Sequence, residues 1–247
     1  AKKIKVMYPT FILIKKYIQY YVNASNSKGH GVHSPFVFQF IQEVLLNKQA
    51  PAEAHIIEAK RKDLLADHTI VEVWDRGAGS RQNNQPKRAV KHIANAALKP
   101  KKYAQLLAKI VGYFQPENII EMGTSLGLTT CYLAKAANGQ PVFTMEGAPA
   151  VAAWAKKTMA DLHVDNAQII EGDFNQTLPD LLEKLDRVGM AYIDGNHQYI
   201  PTMQYFRDLL KKSDENSFFI FDDIHWSADM EEAWEMIKNH KKVTVTI

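Results

Sequence analysis

The feature that most constrains this chain is a regular alternation of short apolar runs and longer amphipathic segments from Asn118 onward. Short apolar runs bounded by turn residues predict strands, and longer segments with a helical period predict helices. The predicted strands are Asn118–Met122, Val142–Glu146, Ala167–Ile170, Val188–Ile193, Ser217–Phe221 and Lys242–Ile247. The predicted helices are Leu128–Ala137, Pro149–Leu162, Gln176–Lys184, Pro201–Lys211 and Ser227–Asn239. Since strands joined through helices make right-handed crossovers, we predict an α/β fold with a doubly wound, mostly parallel sheet and helices on both faces.

The pattern of the first 114 residues differs from that of the rest, because it predicts helices and a single short strand. The predicted helices are Thr10–Asn23, Pro35–Asn47, Ala52–Asp67, Pro86–Ala97 and Lys101–Phe114, and the predicted strand is Thr69–Trp74. We therefore divide the chain into an N-terminal helical extension or lid with one short strand, residues 1–114, and a core containing the parallel sheet, residues 115–247. A length of 247 residues suits one large domain with an appended region.

The first predicted helix has an apolar face that needs a partner. Phe11, Ile14 and Ile18 lie on this face, together with Tyr21 and Val22. Lysines interrupt the apolar run, which is far shorter than the ~18 apolar residues of a membrane span. The pattern favours packing against the body of the protein or a second subunit over binding at a membrane surface.

Charge and cysteine content narrow the function classes. The net charge is only +3 and the basic residues are scattered among acidic ones, so nucleic acid is not an expected partner. The single cysteine, Cys131, cannot form an intramolecular disulfide, which suits a reducing compartment. We therefore expect a cytoplasmic protein.

A glycine-containing turn follows the first strand of the core. Its sequence is Glu121-Met-Gly123-Thr124-Ser125-Leu-Gly127, and it leads directly into a predicted helix. Glycines allow a ligand to approach the backbone, and the start of the helix offers free N–H groups. The turn alone is typical of many nucleotide-binding sheets.

The ends of the next two strands carry groups that suit an adenosine. Glu146 and Gly147 close the second strand, where a carboxylate can accept hydrogen bonds from both ribose hydroxyls. Asp173 and Phe174 follow the third strand, where a carboxylate can bind the adenine amino group and a ring can lie beside the base. Each of these residues alone suits an ordinary turn. Together, however, three successive strand ends carry the groups that an adenosine-containing ligand requires.

The stretch from Glu121 to Asp223 resembles the class I S-adenosylmethionine-dependent methyltransferases. Their first motif matches Glu121-x-Gly123-x-x-x-Gly127, and the spacing lacks the Gly-x-Gly-x-x-Gly pattern of dinucleotide sites. The resemblance implies a Rossmann-like fold, methyltransferase activity and S-adenosyl-L-methionine as cofactor. It also implies that Asp194 is among the cofactor-binding residues.

Carboxylates and a histidine follow the fourth and fifth strands. Asp194 and His197 follow the fourth strand, and Asp222 and Asp223 follow the fifth. Adjacent parallel strands lie ~4.8 Å apart, so the carboxylates can converge on a hard cation such as Mg²⁺, Mn²⁺ or Ca²⁺. A paired aspartate can instead cap the following helix, and many class I methyltransferases carry the first acid without a metal.

This arrangement resembles the divalent-metal-dependent O-methyltransferases of the catechol-modifying and sugar-modifying types. The resemblance implies that Asp194, Asp222 and Asp223 bind the metal. It implies that His197 is the general base, with Asp194 beside it in catalysis, and that a small hydroxylated molecule is the acceptor.

Four further residues are weaker candidates for contacts with the acceptor. His225 and Trp226 follow the aspartate pair, and each also suits simple packing. His30 and His33 lie in a loop before a helix that Ser34 would cap, so the loop is either a lid or an ordinary connection. A second loop, residues 75–81, contains two glycines and two arginines and suits either an anionic group or an exposed turn.

Nearly the whole chain resembles bacterial proteins described only as class I methyltransferases, which leaves the acceptor open. Class I sheets normally have seven strands, whereas the sequence predicts six in the core, so a C-terminal strand is expected to be missing. The exposed edge favours pairing with a second copy, and a homodimer through that edge or the N-terminal helices is an alternative to a monomer. Two other functions stay open: a nucleic-acid methyltransferase, although no base-binding motif follows the fourth strand, and a non-catalytic cofactor-binding protein.

Overall fold

The computed structural model describes residues 8–23, 34–73 and 87–247. Its helices are α1 (Thr10–Asn23), α2 (Pro35–Phe40), α3 (Ala54–Ala66), α4 (Val90–Ala97), α5 (Lys101–Phe114), α6 (Leu128–Ala136), α7 (Pro149–Asp161), α8 (Phe174–Lys184), α9 (Tyr199–Leu210) and α10 (Ala228–Lys238). Its strands are β1 (Ile70–Glu72), β2 (Lys87–Ala89), β3 (Ile119–Met122), β4 (Val142–Glu146), β5 (Ala167–Glu171), β6 (Met190–Ile193) and β7 (Phe218–Phe221). A π-helical turn, Ile41–Leu45, continues α2.

The described residues form two compact units. The first combines parts of segments 1–48, 197–206 and 223–247, and the second combines parts of segments 49–196 and 207–222. The second unit contains every strand, and the first contains α1, α2 and α10. The chain leaves the second unit for the first shortly after β6 and again shortly after β7.

The main sheet has five parallel strands in the order β5-β4-β3-β6-β7, flanked by helices. This confirms the predicted fold class of a Rossmann-like, largely parallel sheet with a helical N-terminal region. The chain order reverses between β3 and β6, which lie side by side. In parallel α/β sheets, ligands bind outside the carboxyl ends of the strands at such a switch point.

The central strands of the sheet are buried on both faces, which agrees with their largely apolar sequences. All four residues of β3 and all four of β6 are buried. On one face, Leu107 and Val111 of α5 and Leu133 of α6 pack with the strands. Burial of both faces favours near-continuous apolar runs, which explains why these strands could be located in the sequence.

Two predicted elements are wrong. The helix predicted from Pro86 begins only at Val90, because Lys87–Ala89 pair antiparallel with β1. The strand predicted at Lys242–Ile247 does not form, since the five-stranded sheet ends at β7 and residues 243–247 pair with none of the described strands. β-branched residues favour a strand only where a neighbouring strand supplies hydrogen bonds.

The apolar face of α1 remains exposed within this chain. Phe11 is 70% exposed, Ile14 55% and Ile18 56%, so packing of these three side chains against the body of the protein is not observed. No helix within the described ranges combines the length and apolar character that crossing a membrane requires.

Candidate active site

The turn after β3 brings the backbone of β6 very close to Gly123. Gly123 has a φ of +112°, and a Cβ atom there would lie 2.3 Å from the carbonyl oxygen of Asp194. Gly127 has a φ of +78°, and its Cβ would lie 3.0 Å from Ala155 Cβ on α7. Both positions therefore require glycine, and the turn holds the first residues of α6 at the switch point of the sheet.

Glu121 is a fully buried carboxyl group at the end of β3. Its Oε2 accepts hydrogen bonds from Thr130 Oγ1 at 2.5 Å and Thr144 Oγ1 at 2.6 Å. Burial raises the pKa of Glu121 from 4.5 to about 7, although the two hydroxyl hydrogen bonds act in the opposite direction. Its Oε1 is buried and has no hydrogen-bond partner among the described residues.

Glu146 fastens the glycine turn to the end of β4. Its Oε2 accepts a hydrogen bond from the Ser125 N–H and its Oε1 accepts one from the Ala148 N–H, both at 2.9 Å. Ser125 has a left-handed φ of +49°, and its Oγ is buried without a partner among the described residues. The predicted ribose ligand thus also has a structural role in holding the glycine turn.

Asp173 and Phe174 lie at the start of α8. Asp173 is the N-cap of this helix, and its Oδ1 accepts hydrogen bonds from the N–H and the side-chain amide of Asn175 at 2.9 Å. A Cβ on Gly195 would lie 2.7 Å from Phe174 Cε2, so the ring lies against the segment after β6. Gly147, in the turn after β4, lies close to Gly172, with 3.8 Å between a built Cβ and the Gly172 carbonyl oxygen.

These residues fit a nucleoside cofactor at the carboxyl ends of β3 and β4. Two buried polar atoms there, Glu121 Oε1 and Ser125 Oγ, have unused hydrogen-bonding capacity. Buried polar groups without partners are uncommon in proteins and frequently mark a site that a ligand completes.

A lysine links the carboxylates at the ends of β6 and β7. Lys99, between α4 and α5, has its Nζ 3.1 Å from Asp194 Oδ2 and also binds Asp222 Oδ2. The Tyr192 hydroxyl lies 2.8 Å from the same Asp194 oxygen and 2.7 Å from the same Asp222 oxygen, so its single proton is shared between them. Burial lowers the pKa of Lys99, but the two carboxylates outweigh this and raise it above 10.5, so the side chain is cationic. Burial, followed by the same two carboxylates, strongly raises the pKa of Tyr192.

The divalent cation that the metal-dependent resemblance implies does not fit this pair of carboxylates as arranged. A metal would bind the oxygens that face each other, and those oxygens already hold the Lys99 ammonium and the Tyr192 hydroxyl. The third predicted ligand, Asp223, lies beside the predicted base, His197.

Asp223 pairs with the predicted base. His197 Nε2 lies 3.7 Å from Asp223 Oδ2, a distance typical of an ion pair rather than a hydrogen bond. The His197 ring lies 6.0 Å from the Trp226 ring at an angle of 38°. Asn196, His197 and Asp223 all have left-handed φ values, of +69°, +42° and +51°. Such backbone conformations are costly for residues other than glycine and tend to cluster at functional sites.

The weaker candidates have separate locations. His225 is exposed, and its Nδ1 lies 2.9 Å from Glu231 Oε1, which is also bound by Lys16. His30, His33 and the loop at residues 75–81 lie outside the described residues.

Sequence reasoning missed the roles of Lys99 and Tyr192. Tyr192 could have been found, because side chains two residues apart on a strand point to the same face and Asp194 follows it at that spacing. Lys99 has no comparable local signal. Cys131 is buried and burial raises its pKa to about 12, so its thiol is a poor nucleophile.

Comparisons with known proteins agree with this fold. Residues 120–224 match the family model of a methyltransferase domain, whereas no curated protein is similar enough to count as a match. The O-methyltransferase from Bacillus cereus in complex with SAH is 17% identical with a TM-score of 0.55, over 83% of this chain and 86% of that one. The SAH-bound methyltransferase PaMTH1 of Podospora anserina is 12% identical with a TM-score of 0.54, over 90% of this chain and 74% of that one. At these identities the structural likeness shows the fold alone. Residues 120–224 therefore match a methyltransferase domain, on a fold that these two SAH-bound proteins share.

Proposed function

We propose that this domain methylates a hydroxyl oxygen of a small acceptor molecule and that His197 is the general base. The observation that carries the proposal is the position of His197 directly after β6, 3.7 Å from the Asp223 carboxylate and beside the Trp226 ring. A histidine that is paired with a carboxylate and faces an aromatic ring suits the removal of a proton from a flat or hydroxylated molecule.

Methyl transfer requires the protein mainly to align the acceptor oxygen with the methyl group and to remove the proton of the hydroxyl. The bound cofactor supplies a methyl group on a sulfonium, which is transferred by an in-line displacement. His197 takes the proton of the acceptor hydroxyl as the new oxygen–carbon bond forms. The charge of Asp223 stabilises the resulting imidazolium, and Trp226 offers an apolar surface for the acceptor.

We propose that the cofactor lies along the carboxyl ends of β3, β4 and β5. In this proposal Gly123, Thr124, Ser125 and Gly127 approach the methionine portion, with Glu121 and Asp194 beneath it. Glu146 accepts the ribose hydroxyls, while Gly147, Asp173 and Phe174 surround the adenine. The buried Glu121 Oε1 and Ser125 Oγ, which lack partners among the described residues, support this placement.

Several broader expectations remain proposals. The name of the Bacillus cereus protein supports oxygen as the methylated atom. The metal predicted at Asp194, Asp222 and Asp223 is not part of this proposal, because Lys99 binds two of the three carboxylates. We propose a cytoplasmic location from the single cysteine, and a homodimer through the sheet edge or the N-terminal helices stays a prediction.

The test is turnover with S-adenosylmethionine and a panel of catechols, simple phenols and monosaccharides, followed by formation of S-adenosylhomocysteine. With any acceptor that is methylated, His197→Asn should lower kcat at least ~100-fold, because a general base contributes typically 10²–10⁴-fold. Asparagine tolerates the left-handed backbone at this position, so loss of activity reports the imidazole rather than strain.

His55→Ala, at an exposed position on α3, is the matched control and should leave kcat unchanged. Binding of S-adenosylhomocysteine to His197→Asn, measured by calorimetry, should equal that of the wild type. A His197→Asn enzyme with wild-type kcat would refute the assignment of the base.

A further inference from the structure

The cluster of Lys99, Tyr192, Asp194 and Asp222, here called the lysine bridge, is charged and largely removed from solvent. The side chains of Lys99, Asp194 and Asp222 are only 16%, 19% and 26% exposed, and Tyr192 is 2% exposed. All four residues belong to the second unit. The cluster is therefore part of the packed structure at this end of the sheet rather than a chance contact between surface side chains.

The two carboxylates of the lysine bridge need a cation between them. Their Oδ2 atoms both bind the Tyr192 hydroxyl, which brings two negative charges to a single proton. Two carboxylates that share one hydroxyl proton in a partly buried setting repel each other, so one of them takes up a proton unless a positive charge compensates. The Lys99 ammonium binds both Oδ2 atoms and supplies that charge.

We infer that Lys99 is the resident cation of this methyltransferase and takes the place of a divalent metal at the ends of β6 and β7. A Mg²⁺ ion bridging Asp194 and Asp222 would need oxygen contacts of about 2.0–2.1 Å at the point where Nζ lies. The ammonium is compact and carries three donors, so it orients both carboxylates without a metal.

Lys99 is thus a positioning residue, acting through Asp194. Asp194 lies against the glycine turn, since its carbonyl oxygen would be 2.3 Å from a Cβ on Gly123. Lys99 therefore fixes the Asp194 carboxylate next to the proposed methionine portion of the cofactor. As far as turnover is concerned, the inference rests on the proposed function, but the binding test below needs no acceptor.

The decisive measurement is binding of Mn²⁺ alone, followed by electron paramagnetic resonance and calorimetry at pH 7.5. The wild type should bind no Mn²⁺ at concentrations up to ~1 mM. Lys99→Met removes the ammonium and leaves two facing carboxylates, so this variant should gain a Mn²⁺ site at least tenfold tighter than any in the wild type. Adding Asp222→Asn to Lys99→Met should abolish the gained site.

Matched variants separate this gain from general effects of losing a lysine. Lys101→Met, at an exposed position at the start of α5, should not gain Mn²⁺ binding. Lys99→Arg keeps a cation and should also exclude the metal. Lys99→Gln, which also removes the positive charge, is a second neutral variant in case Lys99→Met does not fold, and it should gain Mn²⁺ binding as well.

Two results would overturn the inference. Mn²⁺ binding to the wild type in the micromolar range that is lost in Asp194→Asn would mean that a metal displaces the lysine. Folded Lys99→Met and Lys99→Gln proteins that gain no Mn²⁺ would mean that the carboxylates do not form a metal-type site. Neither result depends on whether an acceptor hydroxyl is methylated. A failure of the O-methylation proposal can therefore be distinguished from a failure of this inference.

Discussion

The carboxyl ends of β3 and β4 and those of β6 and β7 hold carboxylates in opposite ways. At the first pair, here called the glycine-turn end, Glu121 accepts hydrogen bonds from two threonine hydroxyls and Glu146 accepts them from two backbone N–H groups. At the second pair, the lysine bridge, Asp194 and Asp222 share a lysine ammonium. The carboxyl groups of the first pair are thus held by neutral donors in these contacts, whereas the carboxylates of the second pair share a cation.

The difference assigns separate tasks to the two ends. The glycine-turn end leaves Glu121 Oε1 and Ser125 Oγ without partners among the described residues, which suits a ligand that completes their hydrogen bonds. The lysine bridge instead suits orientation, because its charges are fixed by four side chains. The two ends touch at Gly123 and Asp194, so a change that separates them should have the largest effect.

The largest expected effect is that of Gly123→Ala. A methyl group would lie 2.3 Å from the Asp194 carbonyl oxygen, and a φ of +112° is strained for any L-residue. Together these costs should lower the free energy of unfolding by about 4 kcal/mol and abolish binding of S-adenosylhomocysteine. Urea denaturation and calorimetry measure the two effects.

Gly112→Ala is the matched control, because a Cβ there meets nothing within 4 Å and the residue lies within α5. It should raise the free energy of unfolding by about 0.5–1 kcal/mol, as expected for alanine replacing glycine in a helix. A Gly123→Ala protein as stable as Gly112→Ala would show that the two strand ends are not in tight contact.

The second effect is a pH dependence of stability caused by Glu121. The unfolded chain loses this proton near pH 4.5, whereas the folded protein keeps it to about pH 7. The folded state therefore binds more protons between these values, and the free energy of unfolding should fall as the pH rises through this window. The full loss, reached above pH 7, is about 3 kcal/mol.

Glu121→Gln removes the titration and should flatten this part of the pH profile. Urea denaturation at intervals from pH 4.5 to 8 measures the slopes of both proteins. Glu183→Gln, at an exposed position on α8, should keep the wild-type slope. Parallel profiles for Glu121→Gln and the wild type would contradict the assignment of the pH dependence to this residue.

The two ends also differ in how far the sequence could predict them. The glycine-turn end is local, since Gly123, Gly127 and Glu146 each lie at or next to a predicted strand end, and the structure places them together. The lysine bridge depends on Lys99, which reaches the sheet from before α5 and has no signal near Asp194 in the sequence. A long-range ion pair of this kind depends on tertiary packing, which residue patterns do not encode.

Asp222 and Asp223 show a second limit of the sequence patterns. As neighbours they were predicted to act together on one metal, but Asp222 binds Lys99 and Asp223 lies beside His197. Consecutive residues of extended chain point to opposite sides, and Asp223 additionally has a left-handed φ of +51°. The strand predicted at Lys242–Ile247 was wrong because β-propensity alone does not supply a pairing partner.

The smallest expected effect sharpens the comparison from within the lysine bridge. Tyr192→Phe removes the hydroxyl that contacts Asp194 at 2.8 Å and Asp222 at 2.7 Å. Hydrogen bonds to charged groups contribute about 1.5–3 kcal/mol, so the free energy of unfolding should fall by about 2 kcal/mol.

A double-mutant cycle tests whether Tyr192 and Lys99 act together. Because both side chains bind the same two oxygens, the cycle of Tyr192→Phe with Lys99→Met should show a coupling above about 0.5 kcal/mol. Tyr132→Phe, which removes a hydroxyl that donates to Glu58 at 2.9 Å, is the control and should be additive with Lys99→Met. Equal additivity in both cycles would show that Tyr192 and Lys99 act independently and that the four residues are not one cluster.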